Sequence, residues 1–344
     1  MDASFETIKE IRPAYTHPGV GLEPELMERV EIAIVANGWQ VIVQKGAHKP
    51  GDEVFYIRPD ARITNRATWA SEETRRYLGA GGRVKTIMIR GNVSEGMILP
   101  ASALPADVKE HTDDLCEYLG IDHWEPPIPQ DMSILICCLP DGIDKSDEED
   151  FQNLSDEDLH LGEDVLVTRK MDGTSCTVYY NPKTDYLAVC SRTMQLKLDC
   201  VNNFTAATAP LLPIVKELAH HYGETVALRG EVCGAGIQNN KVNKDSKGPA
   251  TFFMYGTRFP DREDRDEKFG RWGKDTHFLK VNEKVTELGF APILTVDILG
   301  VATVTKEMLE HYVSAPASDG EGVVFNGRSF SYKDKSSEYY SRVK

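Results

Sequence analysis

The chain has 344 residues, 41% apolar and 27% charged, with 54 acidic against 39 basic side chains and a net charge of −15. That profile excludes a disordered or low-complexity protein and leaves room for two domains of ordinary size. No apolar run approaches the roughly 20 residues that cross a bilayer, and the opening MDASFETIKEIRPAY carries charges where a secretory leader is apolar. An intracellular protein, cytoplasmic or nuclear, is therefore expected.

From the N-terminus, short strands alternate with turn signals. Val30 to Val35, Trp39 to Val43, Glu53 to Arg58, Arg83 to Arg90 and Gly96 to Leu99 have strand character, with Gly51-Asp52 and Gly91-Asn92 as turns. Several short strands with glycine turns in about 120 residues suggest a small β-barrel of the oligonucleotide-binding (OB) type. This half carries a local excess of positive charge: Arg58, Arg62, Arg66, Arg75, Arg76, Arg83, Lys85 and Arg90 stand against three acids. A basic region on an acidic protein still attracts a phosphate backbone, because steering follows the local field. Glu125-Pro-Pro-Ile-Pro129 then stiffens the chain. The boundary is placed there, giving domains 1–128 and 129–344.

An acidic stretch follows, eleven acids from Asp141 to Asp164 against the single Lys145. Beyond it the pattern is α+β. Strands are predicted at Val165–Arg169, Thr177–Tyr180, Leu187–Ser191, Val226–Val232, Phe252–Tyr255 and Gly322–Phe325. Helices are predicted at Val201–Tyr222, broken by Pro210 and Pro213, and at Lys274–Leu288 and Lys306–Val313. The seven cysteines are odd in number and show no CxxC spacing. They read as buried free thiols, neither zinc ligands nor disulfides.

Chemistry-bearing residues cluster in the second half. Lys170-Met-Asp172-Gly173 follows a predicted strand; taken alone, a Lys and an Asp two apart on a strand describe an ordinary surface pair. In order come Ser191-Arg192, Arg229-Gly230-Glu231, the aromatic strand Phe252-Phe253-Met254-Tyr255, Asp319-Gly320-Glu321-Gly322 and Ser331-Tyr-Lys333-Asp-Lys335. This ordered set resembles the covalent nucleotidyltransferase superfamily of DNA ligases, RNA ligases and mRNA capping enzymes. Within it the chain is similar to the ATP-dependent RNA ligases of the Deinococcus type, a group that includes the Naegleria RNA ligase. Three features carry that closer likeness: the barrel precedes the lysine, the chain stops soon after Lys335 without a C-terminal barrel, and the stretches 83–96 and 230–241 look like the group's own segments.

The resemblance implies an N-terminal OB-type barrel followed by a nucleotidyltransferase domain with the ATP-grasp-like ligase adenylation fold. It implies nick-sealing RNA ligase activity with ATP and Mg²⁺ or Mn²⁺. The partner would be RNA or an RNA-containing nicked duplex, with no membrane and no obligate protein partner. Lys170 would become the lysyl-AMP intermediate, and Gly173 would belong to the nucleotide pocket. Glu231 would accept from a ribose hydroxyl, and Arg192 would hold the sugar or the phosphate of the RNA end. Phe252 or Phe253 would stack on adenine. Glu321 would place the metal, with Asp172 contributing through water, and Lys333 and Lys335 would contact the α-phosphate. A lysine attacks phosphorus only when uncharged, so a Lys170 kept neutral by burial or nearby cations is expected. Arg58, Arg62, Arg83, Lys85 and Arg90 are the expected phosphate contacts of the barrel.

Two positions depart from the family pattern. Arg169 stands where related ligases often have Glu. Asp150 stands where a segment resembling 145–153 usually has a basic residue before Gln-Asn. The rival readings are a DNA nick ligase, a protein-modifying AMP transferase and an OB-type adaptor with an inactive transferase half. The absent C-terminal barrel, the basic N-terminal region and the intact motif set count against them in turn.

Overall fold

The computed structural model describes residues 2–16, 24–36, 38–111, 113–124, 135–145, 148–238, 243–261, 277–327 and 330–343. The proline-rich joint 125–129 lies outside them. The chain forms two compact units: one of Met1–Ile128, Gln152–Leu154 and Ser337–Lys344, the other of Pro129–Phe151 and Ser155–Ser336.

In the first unit, β1 (Ala3–Tyr15), β2 (Leu26–Val35), β3 (Trp39–Gln44), β4 (Glu53–Ile57), β5 (Ala61–Ile63), α1 (Glu72–Arg76), β6 (Thr86–Ile89), β7 (Asn92–Glu95), β8 (Met97–Leu99), α2 (Leu115–Leu119) and β9 (Ile121–His123) follow in order. The main sheet runs β3-β2-β1-β4-β8, with β5-β9 and β6-β7 as separate pairs. The long strand β1 serves two partners. Its first half pairs with β4 and its second half with β2, with a register break at Ile8/Glu10. Such an irregularity bends a strand and lets one sheet curl. The curl buries Ile8, Val35, Trp39, Val41, Val54 and Tyr56 in one cluster and Phe55, Ile57, Ile63, Leu115 and Leu119 in another. The expected 83–90 strand is shorter, Thr86–Ile89, because Arg83 makes only an isolated bridge to Arg62.

The second unit contains β10 (Leu135–Cys138), β11 (Glu149–Asp150), β12 (Asp164–Lys170), β13 (Thr174–Asn181), β14 (Tyr186–Cys190), β15 (Met194–Leu196), α3 (Asn203–Thr208), α4 (Leu212–Tyr222), β16 (Val226–Cys233), β17 (Thr251–Arg258), α5 (His277–Glu287), β18 (Ile298–Thr303), α6 (Lys306–Val313), β19 (Gly322–Asn326) and β20 (Ser331–Lys335). Two sheets result, β10-β15-β14-β13-β16-β17 and β11-β20-β19-β12-β18. Ile214, Val215, Leu218 and Ala219 line one face of α4 and pack with α5 side chains Phe278, Val281 and Val285 against Val178, Val226 and Leu228 of the first sheet. Pro210 ends α3 through one tight turn and Pro213 opens α4, where its missing N–H costs nothing.

The last helix, α7 (Ser337–Val343), belongs to the first unit, where it packs on β6 and β7. Ser337 Oγ donates to the buried Glu95 carboxylate at 2.6 Å. All seven cysteines are free; Cys176, Cys190 and Cys233 are buried, whereas Cys137 and Cys138 are exposed. Among the described residues no helix is long and apolar enough to cross a membrane.

Candidate active site

Lys170 closes β12, and Met171-Asp172-Gly173 carries the chain from the five-stranded sheet into β13 of the other. Gly173 is needed for this crossing. A Cβ there would stand 2.5 Å from the Val232 carbonyl oxygen and 2.6 Å from Cys233 Sγ. The turn therefore lies tight against β16, the strand that bears Glu231. On the other side, Lys170, Gly322 and Lys335 are register partners across β12, β19 and β20. Directly paired residues share a sheet face, so the two lysines lie about 10 Å apart at Cα, with a glycine between them.

Lys170 Nζ donates to Glu321 Oε1 at 2.6 Å, the lysine side chain 23% exposed and the glutamate 9%. Burial acts against the ammonium, but Glu321, Glu231 and Glu148 outweigh it and raise the lysine's pKa. The lysine is thus held in an ion pair, and the neutral amine that attack requires calls for those carboxylates to be drawn away. The reason is local charge: its neighbours are carboxylates. Burial pushes Glu231 up to about 8 against the pull of Lys170. Burial likewise raises Glu321, with Lys170 opposing.

A second layer of polar contacts fixes the turn. Arg169 Nη1 meets both Asp245 oxygens at 3.0 Å and its Nε meets Asp297 at 2.8 Å. Asp245 also accepts from the Asp172 backbone N–H at 3.2 Å, and Asn243 Nδ2 donates to the Asp172 carbonyl at 2.9 Å. Asn243, Asp245, Asp297 and Glu148 escape a motif search. They contact the turn or its charges only after folding, and no spacing in the chain announces them.

The aromatic pair is resolved by strand alternation. Phe253 is the register partner of Glu231 and is half-buried beside Met171, Cys233 and Val296. Phe252 points the other way into the core at 4% exposure, and a Cβ on Gly230 would sit 2.4 Å from its ring. Phe252 is therefore a packing residue, and Phe253 is the ring on the Glu231 side. Asp172 is buried, Lys333 half-buried, and Lys335 pairs with Asp150 at 3.1 Å. Arg192 is exposed on the turn between β14 and β15.

In the first unit the basic run is mostly engaged internally. Arg58 is 8% exposed and bonds Ser4 and Glu6, so it is a structural cation of the interior. Arg62 makes two 2.6 Å bonds to Asp122, its cross-strand partner. Arg83 bonds Asp60 and stacks 3.8 Å above the Trp124 ring. Lys85 is half-buried against Gly79, whereas Arg90, Arg66 and Arg76 are exposed. Of the five expected contacts Arg90 is the one that is exposed and in no ion pair among the described residues.

The carboxylate set is made of oxygen donors only, the chemistry of a hard divalent cation. Among the described residues no three His, Cys, Asp or Glu side chains stand close enough to ligate one ion together. The residues thus fit an ion that keeps much of its water shell, as Mg²⁺ does.

A family model for RNA ligase matches residues 163–338, and an OB-fold domain model matches residues 23–101. The chain belongs to the RNA ligase family, with an OB-fold domain ahead of its ligase domain. Its fold is similar to that of Naegleria gruberi RNA ligase with pyrophosphate, 27% identical over 98% of this chain and 97% of that one, TM-score 0.74. It is similar also to a mutant of that enzyme with AMP and Mn, 26% identical over 98% of each chain, TM-score 0.76. A lysine-to-alanine mutant with ATP and Mn gives 26%, 99% of this chain, 98% of that one and a TM-score of 0.75. No curated protein matches the sequence.

Proposed function

We propose that this RNA ligase uses ATP and Mg²⁺ or Mn²⁺ to seal 3′-hydroxyl/5′-phosphate nicks in RNA-containing duplexes through an AMP adduct on Lys170. The observation that carries this reading is the grouping of Lys170, Glu231, Glu321 and Lys335 about the turn by which β12 leaves one sheet and β13 enters the other. Mutants of the similar Naegleria enzyme, with structures solved with ATP or AMP and Mn, support the choice of nucleotide and metal.

Glu231 binds a ribose hydroxyl, Phe253 offers its ring to adenine, and Lys333 and Lys335 face the α-phosphate. Glu321 and Asp172 would hold the hydrated metal, with Glu148 adding negative charge nearby. When bound, such an ion supplies positive charge at the α-phosphate and competes with Lys170 for its carboxylates. Lys170 then loses its proton to solvent and attacks the α-phosphorus, releasing a second N–H proton to solvent as the adduct forms. The N–P bond forms, the α–β bridging P–O bond breaks, and pyrophosphate leaves with the electron pair. In the second step an oxygen of the RNA 5′-phosphate displaces Lys170 from that phosphorus. In the third the 3′-hydroxyl displaces AMP and the phosphodiester closes. All three are in-line displacements, so catalysis rests on positioning and charge.

The test is direct. Intact-mass measurement after incubation with ATP and Mg²⁺ is expected to show one added AMP, absent with a chelator and absent in Lys170→Ala. An adduct on Lys170→Ala would remove this lysine from the mechanism.

A further inference from the structure

The two-residue strand β11 joins the edge of the five-stranded sheet, parallel to β20, with Asp150 opposite Lys333. Asp150 is 4% exposed, and its Oδ2 lies 3.1 Å from Lys335 Nζ. Lys335 is aligned through Gly322 with Lys170, and its charge acts on Glu321. Two ion pairs thus stand on this part of the sheet, Asp150 with Lys335 and Glu321 with Lys170. A buried carboxylate at the phosphate end of an anion pocket is costly unless paired, and it repels an incoming triphosphate. Lysine is a long side chain whose ordering is also costly. An ion pair with a buried, strand-held acid restricts that freedom before the nucleotide arrives.

We propose that Asp150 is a positioning residue that fixes the Lys335 ammonium for the chemical step, at some expense in ATP capture. The proposal rests on the adenylation reading above. The simpler view is that an acid at this position merely leaves the pocket one cation short of phosphate. The two views give opposite answers when the charge is reversed.

Single-turnover formation of Lys170–AMP, followed across ATP concentrations, separates the two. Asp150→Asn is expected to lower the maximal rate by on the order of 10–10²-fold, as small misplacements of a catalytic group do, while the KM for ATP stays level or falls. Asp150→Glu should keep most of the rate. Asp150→Arg should be as slow as Asp150→Asn, since a cation there drives Lys335 away. In a Lys335→Ala background, Asp150→Asn should cause no further loss of rate. A purely structural role would still cost activity in that background, and thermal melting checks that each variant is folded. Wild-type rate in Asp150→Asn, or a gain of rate in Asp150→Arg, overturns the proposal. Wild-type protein that never gains AMP removes the adenylation reading itself, and Asp150's role with it.

Discussion

The two units use the same interaction for different ends. Both tie arginines and lysines to carboxylates, so each presents less free positive surface than counting charges suggests. In the first unit the pairs join neighbouring strands. Arg62 and Asp122 are direct partners across β5 and β9, and Arg83 bonds Asp60 just before β5. Such pairs brace a small barrel, since opposite charges facing each other across strands are stabilising. In the second unit the pairs join segments far apart in sequence at the point where chemistry is expected. Lys170 and Glu321 are 151 positions apart, Arg169 and Asp297 128 apart. There the pairing ties β12 to the segments that lead into β18 and β19. A basic run in sequence therefore reports charge, while only the fold reports whether that charge is spent.

The largest test of this contrast breaks one pair of the second kind. Glu321→Ala and Lys333→Ala should each lower the rate of Lys170–AMP formation by about 10²–10³, the usual cost of removing one group that stabilises charge in a transition state. Arg62→Ala, which breaks a pair of the first kind, should leave that rate unchanged. Near-normal adduct formation by Lys333→Ala would make the β20 lysines an ordinary surface strand.

Much of the fold was legible because it is written in local periodicity. The strands around Val165, Val226 and Phe252 and the helix at Lys306–Val313 fall where alternation and helical spacing put them. The ordered series of motifs was legible as such, and Gly173 has a visible steric reason. What was not legible depends on contacts between distant segments. The thirteen-residue β1 carries mixed charged and apolar residues because its two halves serve different partners. The docking of α7 rests on Ser337 meeting Glu95, 242 positions away. Residues 337–343 thus depend on β6 and β7, so a protein lacking residues 1–128 would leave α7 without its seat. The protonation of Lys170 also lay beyond sequence, since Glu148 and Glu231 approach it only in the folded chain.

A smaller effect should appear in stability against pH. Burial raises the Glu231 carboxyl from its ordinary 4.5 to about 8 in the folded protein. The fold therefore favours the protonated acid, and this contribution is complete below about 4.5 and lost as pH rises through about 8. Lys170 opposes the loss without removing it. Glu231→Gln carries no such titration. Its melting temperature should gain on the wild type between pH 5 and 8.5, by on the order of 2–4 °C for each kcal/mol involved in a unit of this size. A gap that stays constant over that range would mean Glu231 is ionised throughout and fully compensated by Lys170.

The smallest effects separate the two kinds of barrel cation. Arg83 has only 12% of its side chain exposed, is bonded to Asp60 and lies over Trp124. Truncation to alanine removes the Arg83 bonds to Asp60 and uncovers the indole face, so Arg83→Ala should cost about 1–3 kcal/mol of stability. Arg90 is exposed at the turn between β6 and β7, with a left-handed φ of 48°. Arg90→Ala should leave the melting temperature nearly where it was. If Arg90 contacts a phosphate, that substitution should instead weaken binding to nicked RNA at low salt. It should also reduce the slope of log K against log salt by about 0.7–0.9, the contribution of one phosphate contact. Arg62→Ala, with its guanidinium committed to Asp122, should leave that slope unchanged. An equal loss of slope from Arg62→Ala and Arg90→Ala would show that the Arg62 pair opens to take phosphate. Bracing cations and binding cations would then be the same residues in the barrel, and the contrast between the two units would narrow to the active site alone.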